Sequence, residues 1–194
     1  MLIRLICLVF VMAVATGCST SNIVPEISAS TKRDVGVAVI ALTKSGIDPW
    51  KVAYRYEQIG GDLTGVMEIK ADQGGTIRSD YRDIQGNLTF IELPAGDYRI
   101  TKWQLQRWLT TRESSVPLDI RFRVYPGRFT YAGELNLDTG NQFILEAGAS
   151  AVTVQVKGAA ERDIQHIQQY HPQVDFLRFR MHQMRINTPS GLAR

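Results

Sequence analysis

What most constrains this chain is a succession of short segments between residues 34 and 158 in which apolar and polar side chains alternate. In Asp-Ile-Arg-Phe-Arg-Val, Ile120, Phe122 and Val124 share one side, while Arg121 and Arg123 point to the other. A period of two is the geometry of a half-buried strand, because successive side chains of an extended backbone leave on opposite faces. The segment 34–43 is β-branched and apolar with small residues interleaved, and most of 50–59, 63–71, 86–93, 96–105, 128–137 and 150–158 show an alternation near period two. Turn residues stand between these segments: Ser45-Gly46, Asp48-Pro49, Gly60-Gly61-Asp62, Gly74-Gly75, Pro94-Ala95-Gly96, Pro126-Gly127 and Thr139-Gly140-Asn141. Many short strands at this spacing, without helical periodicity between them, predict an all-β sandwich or barrel.

Only the C-terminal part changes character. Ile164, Ile167 and Tyr170 fall at helical spacing and Pro172 closes the run, which predicts one short helix covering an end or edge of the sheets. Residues 174–185 fit either period: Leu177, Phe179 and Met181 suit a strand, while Leu177, Met181 and Met184 suit a helix. The chain of 194 residues is long enough for one domain with a core that needs no staples. Its formal charge of +3 is spread along the sequence rather than gathered in a basic run. That speaks against a nucleic-acid partner.

Two stretches pair proline with glycine ahead of an aromatic residue: Leu93-Pro-Ala-Gly-Asp-Tyr98 and Pro126-Gly-Arg-Phe129. Proline fixes φ and withholds an amide, so Pro94 and Pro126 suit turns or strand edges. Gly96 and Gly127 supply turn conformations that other residues resist. Tyr98, two residues past Gly96, sits where the tyrosine corner of Greek-key folds does, with its hydroxyl bonding back to upstream backbone. These five residues therefore read as structural turns, with the first pair ending one strand and opening the next across the sheets.

Chemistry is sparse. The histidines are His166, His171 and His182, all late in the chain, and no cysteine follows Cys18. Zinc needs three or four converging ligands, so neither a metal nor another cofactor is expected. No serine sits in a nucleophile elbow or an S-x-x-K pattern. Asp80, Asp83, Glu92 and Glu134 read as solvated faces or turn caps. The double glycine at 74–75 lacks the Lys-Ser/Thr ending of a phosphate loop and reads as a hairpin turn. An aromatic and basic segment offers a candidate binding surface of Trp103, Arg107, Trp108 and Arg112, since Trp and Arg are favoured at hot spots. The competing reading packs Trp103 inside and leaves Trp108 on a loop end. Alternation puts Tyr98 and Ile100 in register and leaves the side taken by Trp103 open.

The first residues carry the layout of a secretory signal: Arg4, an apolar run from Leu5 to Ala15, then Ala15-Thr16-Gly17 before Cys18. The stretch resembles the lipobox of bacterial lipoproteins, with Ala15 where that pattern favours leucine. The resemblance implies cleavage before Cys18 and acylation, palmitate included, of that cysteine. Ser19 in the next position implies the outer membrane. The motifs Leu93, Pro94, Gly96, Tyr98 and Pro126, Gly127, Phe129, Tyr131, Gly133, behind this lipobox, resemble uncharacterised bacterial envelope lipoproteins with a prealbumin-like or carboxypeptidase-regulatory-like sandwich.

The expected organisation is a signal peptide (1–17), a lipid anchor and flexible tether (18–33), an antiparallel Ig-like or prealbumin-like β-sandwich (34–158), a C-terminal helix and packing segment (159–187) and a frayed tail (188–194). The expected role is a non-enzymatic binding or assembly module, held to the membrane by its lipid, facing the periplasm and engaging an envelope protein. A small-ligand or glycan-binding lipoprotein is the alternative, and an envelope enzyme with a site near the C-terminal helix comes after it. Oligomeric state is left open.

Overall fold

The computed structural model describes residues 34–46, 50–72, 76–107, 109–140 and 152–187. Cys18, the tether, Trp108 and the tail from residue 188 lie outside the described residues. Among the described residues, eleven strands run in the order β1 (Val35–Ser45), β2 (Lys51–Gln58), β3 (Thr64–Glu68), β4 (Gln85–Pro94), β5 (Gly96–Arg107), β6 (Thr110–Glu113), β7 (Ile120–Val124), β8 (Phe129–Asp138), β9 (Thr153–Lys157), β10 (Phe179–Met181) and β11 (Arg185–Ile186). One helix, α1 (Ala160–Tyr170), and a 3-10 turn, Phe176–Arg178, stand between β9 and β10. The class is all-β, as the alternation predicts.

The strands form two sheets. One has the order β10-β8-β1-β4, with β9 also on β8; the other has the order β11-β7-β5-β2-β3, with β6 also on β5. Most pairings are antiparallel, but β1–β8 and β10–β8 are parallel, which the antiparallel expectation did not include. The connections explain the first of these. β4 runs antiparallel to β1, and the chain then crosses at Pro94-Ala95-Gly96 into β5 of the other sheet. β7 returns antiparallel to β5, and Pro126-Gly127 crosses back, so β8 arrives in the same direction as β1.

Between the sheets lies the larger core. Ala38, Ile40, Leu42, Ile91, Leu135 and Leu137 from the first sheet meet Val52, Tyr54, Tyr98, Ile100, Leu105 and Phe122 from the second. Side chains of this kind each contribute about 1.5–3 kcal/mol when fully buried. A smaller cluster covers the opposite face of the first sheet: Val37, Val39, Ala41, Leu88, Phe90, Phe129 and Tyr131 pack against Ile167 and Val174. β1 is consequently buried on both faces along almost its whole length. The helix thus lies over a sheet face, not an end or edge, because β1 and β8 carry apolar residues on both parities and need a second cover.

Candidate functional site

The aromatic and basic segment divides between interior and surface. Trp103 is 4% exposed and belongs to the inter-sheet core, which removes it from the candidate binding surface. The cause is a bulge: Tyr56 faces Ile100 while its neighbour Arg55 faces Lys102, so Thr101 is an extra residue in β5. A bulge inverts the parity of everything beyond it, and Trp103 and Leu105 turn inward where unbroken alternation would turn them out. Arg107 is half-buried opposite Thr110, and Arg112 is exposed opposite Leu105. All four β6 residues are exposed, as is Leu109 at the hairpin tip. Of the described residues, what remains at the surface is the exposed polar strand β6 with Leu109 before it, while Trp103 lies inside.

Both Pro–Gly stretches are corners between the sheets, and both are tied to the start of β1. The Ala95 N–H donates to the Asp34 carbonyl and the Gly127 N–H to the Val35 carbonyl, each at 2.7 Å. Gly127 has φ of +62°, a left-handed conformation that β-carbons disfavour. Gly36 is needed for closeness: a β-carbon there would stand 2.1 Å from the Tyr125 carbonyl oxygen. The Tyr98 hydroxyl donates to the Pro94 carbonyl at 2.7 Å, the geometry of a tyrosine corner. Burial, and then the neighbouring Tyr56, push that hydroxyl up to about 12. Beside the corners, Gly36, Glu92, Gly127, Arg128, Asp175 and Arg178 help to line an open cleft of about 40 Å³, room for a few waters at roughly 10–15 Å³ each.

The polar chemistry concentrates under α1. Asp163 is completely buried. Its carboxylate accepts from the Tyr81 hydroxyl at 2.9 Å, from the Tyr131 hydroxyl and from the Arg162 guanidinium at 2.6 Å. Arg162 also pairs with Glu134 at 3.0 Å and lies over the Tyr81 ring at 4.3 Å. The other Glu134 oxygen accepts from Thr43 at 2.6 Å, and the Asn136 amide donates to the Thr43 oxygen at 2.8 Å. Burial and then the Asp163 carboxylate raise the Tyr131 and Tyr81 hydroxyls well above the ordinary tyrosine range. Burial opposes the Arg162 charge, but Asp163 outweighs it and holds the guanidinium protonated. Glu134 is therefore buried and paired, where alternation suggests a solvated face.

A second bulge accounts for this placement. Val39 faces Tyr131 and Ile40 faces Gly133, so Ala132 is extra, and Gly133 takes φ of +101°. Beyond it Leu135 and Leu137 turn into the inter-sheet core. The signal that could have flagged the network is the set of polar residues Thr43, Glu134 and Asn136 inside strands with apolar residues on both parities.

The histidines pair with rings. His171 lies just past the end of α1, which brings its ring to 5.8 Å from His166 despite a spacing that would separate them on a continuous helix. His166 also contacts Tyr81 and Tyr170, and His171 packs on Phe90 at 4.8 Å. His182 Nδ1 is 3.3 Å from the Tyr125 hydroxyl. Burial, then the charge of His166, lower the His171 pKa, with Asp80 opposing. Among the described residues, no histidine hydrogen-bonds a carboxylate and no three His, Cys, Asp or Glu side chains converge as metal ligands. Asp80 caps a turn, accepting from the Leu88 N–H. The Asn87 side chain is buried and spent on the Lys70 N–H and the Arg78 carbonyl.

No family model matches the chain. No curated protein matches it either. Among solved structures it is similar to a leucine-rich repeat protein from Bacteroides thetaiotaomicron VPI-5482, at 16% identity and a TM-score of 0.35. The match covers 58% of this chain and 15% of that one. A likeness of that degree carries no argument about fold or role.

Proposed function

We propose that this chain is a bacterial lipoprotein, acylated at Cys18, whose all-β domain is an Ig-like or prealbumin-like sandwich acting as a non-enzymatic binding or assembly module. The observation that carries the anchor is the N-terminal sequence itself: a basic residue, an apolar run too short to span a bilayer as a helix, and small residues directly before Cys18. Two features support a binding rather than a catalytic role. The buried polar groups under α1 are paired with one another, and the late histidines meet aromatic rings instead of carboxylates among the described residues.

The module would face the periplasm from the outer membrane and engage a protein of the envelope. Strand addition at a sheet edge is the recognition mode that suits such a fold. The β5–β6 hairpin, with β6 exposed throughout and paired, among the described residues, only to the end of β5, is the element best placed to offer one. Crosslinking in intact cells, followed by identification of the adducts, tests this. A discrete envelope protein captured by probes at Arg112, and lost when β6 is shortened, is the expected result. Recovery of uncrosslinked monomer alone would count against it. A glycan-binding reading is weakened by the burial of Trp103.

A further inference from the structure

Exposed apolar side chains are not scattered evenly over this molecule. Ile59, Leu109, Val116 and Tyr170 are dispersed along the chain, whereas Phe176, Leu177, Met181 and Ile186 fall within one short stretch. Leu177, in the 3-10 turn, is 90% exposed. The local sequence Phe-Leu-Arg-Phe-Arg-Met interleaves these apolar groups with Arg178 and Arg180. Arg128 joins them from the β7–β8 corner, donating to the Leu177 carbonyl at 3.2 Å. Arg178 is paired with the exposed Asp175, but Arg128 and Arg180 have no carboxylate partner among the described residues. Arg180 instead lies 5.6 Å from the centre of the Tyr125 ring.

The position of this patch is as informative as its composition. β1 begins at Val35, and Val35 lines the same cleft as Asp175 and Arg178. The described fold therefore starts beside the exposed turn. Residues 19–33 separate Val35's neighbour Asp34 from Cys18, a span that reaches at most roughly 58 Å at about 3.3–3.6 Å per residue. Leu109 is at the other end of β5, which runs away from the Pro94–Gly96 corner for about 35 Å at roughly 3.3 Å per residue.

We propose that the 3-10 turn and β10 form a membrane-facing surface, with Phe176, Leu177 and Met181 entering the headgroup layer and Arg128, Arg178 and Arg180 meeting anionic phospholipid phosphates. Apolar side chains bordered by arginine suit that interface, where hydrocarbon and charge are both accommodated within a few ångströms. The tether keeps the patch close to the bilayer and raises its effective concentration there. The surface fixes which end of the domain faces the lipid and leaves the β5–β6 hairpin pointing away. It rests on the lipid-anchor reading.

The test uses the full chain, processed in cells and reconstituted into vesicles of phosphatidylcholine with phosphatidylglycerol as the minority lipid. Cys7 falls in the leader and the Cys18 thiol is acylated, so Leu177→Cys provides a unique site for a fluorophore, with Leu109→Cys as its counterpart. The expected result is several-fold stronger quenching by nitroxide-bearing lipids at 177 than at 109. Arg128→Glu with Arg180→Glu, or vesicles of phosphatidylcholine alone, should bring quenching at 177 down towards that at 109 while the protein still sediments with the vesicles. Phe176→Ser with Met181→Ser, which leaves the charges in place, should also reduce it. Equal quenching at the two sites in sedimenting protein overturns the surface and leaves the anchor standing. Protein that neither sediments nor carries acyl mass overturns the anchor, and the surface with it.

Discussion

The two faces of the β1-containing sheet are buried by different chemistry. Towards the second sheet the cover is hydrocarbon and aromatic, with Leu42, Leu135, Trp103 and Phe122 in one continuous cluster. Towards α1 a smaller apolar cluster shares the face with the Asp163, Arg162, Glu134 and Thr43 network. Hydrocarbon burial is non-directional, so it stabilises the sheet pair as a whole. A buried charge network is directional and costly to leave half-satisfied, so it fixes where the helix sits. The inter-sheet side has its own exceptions: among the described residues, the buried Tyr54 and Thr89 hydroxyls have no hydrogen-bond partner.

The largest effect should come from the hydrocarbon side. Trp103→Ala would remove a core aromatic and is expected to cost about 3–5 kcal/mol, read as a cooperative loss of stability in denaturant. A surface role for this indole would instead leave the midpoint nearly unchanged. On the other face, Asp163→Ala leaves two tyrosine hydroxyls and a guanidinium without their carboxylate. It is expected to cost about 3 kcal/mol. Hydrogen exchange should then accelerate in α1 well before the strands of the second sheet, which distinguishes local release from global unfolding.

Acid should act on the helix side too. The folded state depresses the His171 pKa, mainly by burial, so the unfolded chain binds that proton more readily. Stability from this group is complete above the ordinary histidine value of 6.5 and falls as pH drops from there through the lowered folded value. His171→Gln should flatten that decline in a series of denaturation curves. Tyr54→Phe should raise stability by about 1 kcal/mol, because it removes an unpaired buried hydroxyl at nearly constant shape. Arg112→Ala, on exposed β6, should change stability by about 0.5 kcal/mol or less.

Much of the first face was legible in the sequence. Strand positions from β1 to β9 follow the alternating or β-branched apolar runs and their turn residues, apart from the short β6. The corners at Pro94–Gly96 and Pro126–Gly127 were marked by the residues that build them. Bulges were not legible, because Thr101 and Ala132 are ordinary in type and each reverses the pattern that follows. The side taken by Trp103 and the burial of Glu134 both depend on them. The network under α1 stayed hidden for a further reason: its members come from 43, 81, 131, 134 and 162–163, and only the fold brings them together. β10 and β11 are too short to show a period, and their placement is set by the edges of β8 and β7.

The reading of this molecule as an anchored module turns on Cys18. Intact mass and fragmentation of the N-terminal peptide of protein purified from membranes tests it most directly. The mature chain should begin at Cys18 and carry diacylglyceryl and amide-linked acyl groups, and the Cys18→Ala chain should stay unprocessed. A mature chain that begins elsewhere, or begins at Cys18 with a free thiol, would contradict it.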